Sequence, residues 1–494
     1  MKNELTRAVI LNYLFIILTT LSSLIITPTL TNGLGLSLYG VYITAYSTIS
    51  FFMVFDFGVG MPVIRNIVRY KDDRKELGNY LFYVLLLYIL LAAVVFVLCL
   101  VIYFCAPMLF QNTLSPQEID IFKQMFLIVS GNCALSFFVN YLSSIIIAYE
   151  KIAFTRLCSI IRVILRTALL VLVILYHFPP HYVFFVDLVV TALVAAIYIV
   201  FVFRLGVPLR PHRMNIKDIK TTGAGMGLSY WMAMAEGAYW TVCPLIIATT
   251  LDSDYVGIFS IGITFCTIYI QMSATLSHLR MPKLSALWLD KENPDKFSDY
   301  VLFSGRVQSG ILGGILVGFS LFGQLFLSLW VGSSFDTSYY IALIVMASMF
   351  FPMAQSMLEV SLYAQEKYLV RTIILFAGAM AIITLLQPAL RLFGLMGSAY
   401  IIAASTMVFN FGVMNLYYRR IYSNIKQFNT NVIIKTLPCI LISAAGGFLL
   451  KHLLPNTTMY AILAGVIGML IYAVLAWLLL YRQDLQRFRS QRTH

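Results

Sequence analysis

Residues 39–70, YGVYITAYSTISFFMVFDFGVGMPVIRNIVRY, run from Tyr39 to Ile64 with a single charge, Asp56, and then close on Arg65 and Arg69. A hydrocarbon core of ~30 Å is crossed by roughly 20 apolar helical residues, so the stretch reads as a membrane span with a basic end. The rest of the chain repeats the pattern. Of 494 residues, 60% are hydrophobic and 11% charged, and the mean hydropathy is +0.87. A water-soluble surface could not be built from that balance. The strictly alternating pattern of barrel strands is absent from the sequence.

With the same ruler the chain reads as an all-α polytopic membrane protein of about fourteen spans. They lie near 9–31, 39–66, 78–105, 121–148, 157–177, 181–204, 222–250, 255–279, 298–328, 338–363, 368–388, 394–418, 431–450 and 457–481. The first span is too long for a signal peptide and no small-residue cleavage site follows it. All seven cysteines fall inside spans and none forms a CxxC pair, which suits buried thiols better than a metal site or disulfides. No metal or cofactor is expected.

The net charge of +13 is topological. If the N-terminus is cytoplasmic, the outer loops hold only Arg391 and Lys451. Lys123, Arg162, Arg166, Arg306 and Lys435 lie within or at the edge of spans, and every other Lys and Arg of the 34 falls on the inner side. This asymmetry orients both termini to the cytoplasm. It makes anionic lipid headgroups, not nucleic acid, the partner of the basic segments.

Compared with itself at an offset of 216, the chain aligns Pro28 with Pro244 and AYEK at 148–151 with AQEK at 364–367. Tyr39-Gly40 and Tyr255-Val256-Gly257 open the second and eighth spans, one residue out of register. Six helices separate the copies, so the halves share one orientation. The expected organisation is an N-terminal six-helix lobe at 1–205, a basic linker at 206–220, a second six-helix lobe at 221–425 and added helices 13 and 14 at 426–494. Paired lobes around a midplane site are the architecture of alternating access.

Charges inside hydrocarbon are costly, about 2.5 kcal/mol or more each, and usually face a protein interior or a wet cavity. Arg162 and Arg166 share a helix face with Ser159 in the fifth span, and Arg306 shares one with Ser309 and Gly313 in the ninth. Snorkelling to the headgroups serves for Arg306 but strains for Arg166, ~13 Å inside its span at 1.5 Å per residue. Guanidinium forks suit phosphate oxygens, so these three arginines are the candidate anion site. Asp56 and Glu236, near mid-depth, either balance that charge or bind a coupling proton or sodium ion. Asp187 and Glu359, nearer the ends of their spans, fit structural ion pairs better. Asn12, Thr19, Ser23 and Thr27 form a polar stripe on the first span, and Ser229, Met232, Tyr239 and Trp240 share the face of Glu236. The sequence carries no GxxxxGK[ST] and no Gly-Lys pair, so it has no P-loop for ATP. The short outer loops leave no room for a glycosyltransferase cleft, and no enzyme activity is expected.

The segment PTLTNGLGLSLYGVYITAYSTISFFMVFDFGVGMPVIRNIVRYKDD at 28–73 and the AYEKIAFTR stretch at 148–156 resemble the polysaccharide flippases of the multidrug/oligosaccharidyl-lipid/polysaccharide exporter superfamily. There a proline-ended first helix leads through Leu-Gly and Tyr-Gly to a helix with a late Gly-rich turn and a basic end. The resemblance implies two six-helix lobes around a partly cationic cavity in a bacterial cytoplasmic membrane. It implies an undecaprenyl-pyrophosphate-linked oligosaccharide, moved to the outer leaflet for O-antigen, capsule or exopolysaccharide synthesis, with a polymerase and chain-length regulator as possible partners. In the related lipid II flippases the last two helices form a groove for the lipid tail, which helices 13 and 14 match in number. No family motif fixes the three arginines. A lipid II flippase and a multidrug cation exporter centred on Glu236 are the alternatives. For Asp56 the expected outcomes divide cleanly: as an ion-coupling group, Asp56→Asn leaves membrane expression intact and impairs transport. Lost expression without a specific transport defect marks a structural ion pair instead.

Overall fold

The computed structural model describes residues 2–53, 60–70, 73–207, 234, 237, 239–289, 294–365, 367, 369–422, 424–453 and 458–481. Every regular element among them is helical. The helices are α1 (Lys2–Met53), α2 (Gly60–Tyr70), α3 (Arg74–Phe110), α4 (Pro116–Ala148), α5 (Ile152–Leu175) and α6 (Tyr182–Arg204). A short apolar helix, α7 (Tyr239–Thr250), precedes α8 (Ser253–Leu289) and α9 (Pro294–Trp330). Then come α10 (Asp336–Ala354), α11 (Ser356–Ala364), α12 (Leu369–Phe393), α13 (Met396–Ile421), α14 (Ile425–Leu453) and α15 (Met459–Leu480).

Among the described residues, 12 helices are long and apolar enough to cross a membrane. α1 holds two spans. Its 52 residues would reach about 78 Å if straight, more than twice the hydrocarbon thickness. The helix is interrupted at Gly35, whose φ of 80° and ψ of 169° suit a residue without Cβ. Phe15 and Met53 line one and the same cavity, so the chain folds back at that glycine. With α1 counted twice and α7 as the described part of the seventh span, the fourteen expected spans are accounted for. The linker at 208–220, together with Asp56 and Glu236, lies outside the described residues.

Local signals explain several boundaries. Asp73 caps α3, its Oδ1 accepting from the backbone N–H of Lys75 at 2.9 Å and Glu76 at 3.2 Å. Ser115, Pro116 and Glu118 start α4 with a reciprocal capping box. The tenth span breaks between α10 and α11, just past Pro352. There Gln308 of α9, fully buried, donates to the Met353 carbonyl at 3.0 Å and to Ser273 Oγ at 2.7 Å. π-helical turns interrupt the last three spans, at Thr406–Val413, Asn429–Ile434 and Trp477–Tyr481.

The chain forms two compact units, Met1–Gly257 and Ile258–His494. The first unit takes in the first turn of α8, whose junction with α7 is bound within that unit: Thr113 Oγ1 donates to the Ala248 carbonyl at 2.7 Å, and Ser253 bonds the α1 turn. In the second unit, α14 and α15 pack on the glycine-rich face of α9. Tyr472 donates to the Gly310 carbonyl at 2.6 Å, and a Cβ on Gly447 or Gly468 would come within 2.5 or 2.6 Å of the Leu321 side chain. Small residues at such interfaces let helices approach without a driving force from water.

At Gly397 the close neighbour is backbone. A Cβ there would lie 2.3 Å from the Ala389 carbonyl oxygen, a clash no side-chain rotation relieves. Gly397→Ala is expected to lower the thermal midpoint of the solubilised protein, at an overpacking cost of about 1–3 kcal/mol. Gly446→Ala, whose nearest neighbour would be Ile471 Cδ1 at 3.6 Å, should leave the midpoint where it is.

Candidate functional site

A cavity of about 370 Å³ lies within the first unit. α1 lines it from both sides of its fold, with Phe15 on one and Tyr46, Ser50 and Met53 on the other. α4 contributes Asn132 and Ser136, α5 contributes Ser159, Arg162 and Arg166, and α6 contributes Asp187. The i, i+3, i+7 spacing on α5 therefore places Ser159, Arg162 and Arg166 on one polar face, as expected.

Two matched ladders tie α5 to α6. Arg166 Nε donates to Asp187 Oδ1 at 2.5 Å and its Nη2 to Oδ2 at 3.3 Å. One turn along each helix, Arg162 Nη2 donates to Thr191 Oγ1 at 3.0 Å, and that hydroxyl donates to the Asp187 carbonyl at 2.7 Å. Bidentate carboxylate–guanidinium pairing fixes both charges in place. Among the described residues, the charged groups lining the cavity are two guanidiniums and one carboxylate. Arg162 has five N–H donors and uses one of them on Thr191. Ser50 and Ser159 donate back to the carbonyls of Tyr46 and Thr155, which leaves their hydroxyl oxygens as acceptors.

The other expected site residues lie elsewhere. Arg306 belongs to the second unit and is 9% exposed. Its face of α9 is the one packed by α14 and α15: Thr436 donates to Ser309 Oγ at 3.1 Å, and Tyr472 and Ile440 crowd Gly313. Asn12, Thr19 and Ser23 do not line the cavity; Thr19 is exposed and bonds the Phe15 carbonyl. The polar contact of that helix with α5 is made one residue away, by Ser22 with Thr167 at 2.6 Å. Tyr239 is buried and packs against Trp240, 5.6 Å between ring centroids, apart from the cavity lining. Asp187 and Glu359 are in ion pairs, the latter with Arg371 at 2.7 Å. Asn132, Thr191 and Ser50 were not singled out by sequence. Only the i, i+4 spacing of Asp187 and Thr191, mirroring Arg162 and Arg166, carried a signal.

In the second unit an apolar groove of about 590 Å³ runs between α8, α9 and α15, bounded by Phe265, Ile311, Phe319, Phe322, Phe326 and Met469 over a floor of α9 glycines.

Residues 5–280 match the family model described as Polysaccharide biosynthesis protein. Comparison with curated proteins finds none that matches. Among solved structures, the chain is similar to the lipid II flippase MurJ in an inward closed conformation. The TM-score is 0.75 at 16% identity over 96% of this chain and 99% of the other. An inward-facing MATE family multidrug resistance transporter of the MOP superfamily gives 0.67 at 14% identity, over 83% and 96%. A MOP superfamily transporter from Pyrococcus furiosus Vc1, described by the reverse polarity of its binding pocket, gives 0.59 at 12% identity, over 86% and 96%. At these identities the likeness establishes a shared fold, which is that of multi-pass membrane transporters.

Removing the carboxylate from the cavity should strand a guanidinium. Asp187→Asn is expected to destabilise the protein by about 1–3 kcal/mol, less than a fully buried pair because Arg166 keeps part of its surface toward the cavity. Pairing it with Arg166→Gln should recover most of that loss, read as the thermal midpoints of the single and double variants.

Proposed function

The chain belongs to the polysaccharide biosynthesis protein family, and on that premise we propose that it flips a lipid-linked oligosaccharide across the membrane by alternating access. The cargo is an oligosaccharide repeat unit on an isoprenoid pyrophosphate, carried from the cytoplasmic to the outer leaflet for cell-surface polysaccharide synthesis. Each bare hydroxyl dragged through hydrocarbon costs several kcal/mol, so a sugar chain needs a wet path for its head. The apolar tail needs none and can remain in lipid.

The observation that carries this reading is the composition of the first unit's cavity: Arg162 with donors to spare, Arg166 clamped by Asp187, and hydroxyl acceptors beside them. Fixed N–H donors on two guanidiniums suit a phosphoryl oxygen. The apolar groove beside α15 suits a polyprenyl chain, in keeping with the groove expected of helices 13 and 14. In this scheme two six-helix lobes move about the head group, both termini face the cytoplasm of a bacterial cell, and Asp56 and Glu236 serve coupling or charge balance. Arg306, in the second unit, is the third cation that this reading assigns to the pyrophosphate.

Deletion in the native host, with mass spectrometry of lipid-linked oligosaccharides, tests the proposal. Accumulated carrier-linked repeat units with lost surface glycan are expected; unchanged glycan without build-up moves the assignment to a cation exporter. In the complemented strain, Arg162→Ala should cut surface glycan by about tenfold, the weight of one charge-assisted hydrogen bond, while Arg162→Lys retains part of it.

A further inference from the structure

One carboxylate joins three turns of the first unit, at the end of its helices opposite the N-terminus. Glu118, in the first turn of α4, uses Oε2 to accept the Ser115 backbone N–H at 2.7 Å, which completes the capping box of its own helix. Oε1 reaches outward. It accepts a hydrogen bond from Ser37 Oγ in the α1 turn, and Ser253 Oγ, at the start of α8, lies 3.1 Å from it. The two serine hydroxyls are themselves 3.3 Å apart. Capping needs none of these contacts, so Oε1 binds turns that the local fold of α4 does not require.

Two further observations mark the junction as built. Ser37 and Ser253 are 216 residues apart, the offset at which the sequence aligns with itself, so the carboxylate gathers two positions that this offset pairs. The backbones also close to a distance only glycine permits: a Cβ on Gly40 would sit 1.9 Å from the Ser253 carbonyl oxygen. Gly257 also lies close to Tyr39, its Cβ position 3.2 Å from the ring.

We propose that Glu118 is a latch: it holds the α1, α3–α4 and α7–α8 turns closed at this end, and its release accompanies the opening of that end in the transport cycle. The latch rests on the alternating-access part of the proposed function and not on the identity of the cargo. A latch differs from a structural clamp in one respect. Releasing it shifts the protein toward a state open at this end and closed at the other, whereas losing a clamp loosens the fold without that reciprocity.

Hydrogen–deuterium exchange of the full-length protein in lipid nanodiscs distinguishes the two. In Glu118→Ala, exchange is expected to rise roughly tenfold in peptides covering 32–44 and 248–257, as befits one lost hydrogen bond to a charged group. It should fall in peptides covering 148–156, the α4–α5 turn at the opposite end. Gly40→Ala, which forces the same backbones apart with Glu118 intact, should give the same pair of changes, and Gln117→Ala neither. If Gly40→Ala fails to fold, the double variant Ser37→Ala and Ser253→Ala removes the donors without adding bulk and carries the same expectation. Unchanged exchange in the folded variants, or a rise at both ends, overturns the latch. A reciprocal shift in a protein whose deletion leaves lipid-linked sugars unaltered would keep the latch and discard the cargo.

Discussion

A charge taken into hydrocarbon must find its partner there, and the Arg166–Asp187 pair is where this protein meets that requirement. It lies within the apolar helices α5 and α6, where a lone charge costs about 2.5 kcal/mol or more. The pair fixes the relative register of the two helices, and with the register it fixes where Arg162 and Thr191 meet one turn away. From that register the cavity follows. Arg162 stands in it with donors unspent because Asp187 has been taken by its neighbour.

The same economy of polar groups runs through the second unit with neutral side chains. Gln308 secures the broken tenth span by donating to the carbonyl of Met353. Tyr472 and Thr436 bind α15 and α14 to α9 through a carbonyl and a hydroxyl. Glycines clear the space for these contacts, and the groove lined by α9 and α15 is what remains where no side chain fills the gap.

Much of the fold was legible because the bilayer imposes a length on every span. Hydropathy alone placed the helices, and Gly35 fell inside the loop expected between the first two. The fifth-span arginines were legible as one polar face because their spacing is helical and the depth of Arg166 strains snorkelling. What stayed hidden were partnerships across helices. Nothing in a single sequence says that Asp187 faces Arg166, that Ser22 and not Ser23 meets α5, or that Arg306 looks toward the added helices. Hidden in the same way were the hydrogen bonds of Thr113 and Ser253 that bind α7 and the start of α8 to other turns of the first unit.

The turn between α5 and α6 spans only residues 176–181, and Arg166 and Asp187 are 21 positions apart in the chain. The two charges therefore sit in one helical hairpin and can neutralise each other without any other segment. A nascent chain leaving its insertion machinery helix by helix would deliver an arginine to lipid before its counter-ion had been made. A chain that releases α5 and α6 together delivers Arg166 with its counter-ion already beside it. The ion pair that shapes the cavity of the finished protein thus also favours entry of α5 and α6 into the membrane as one hairpin.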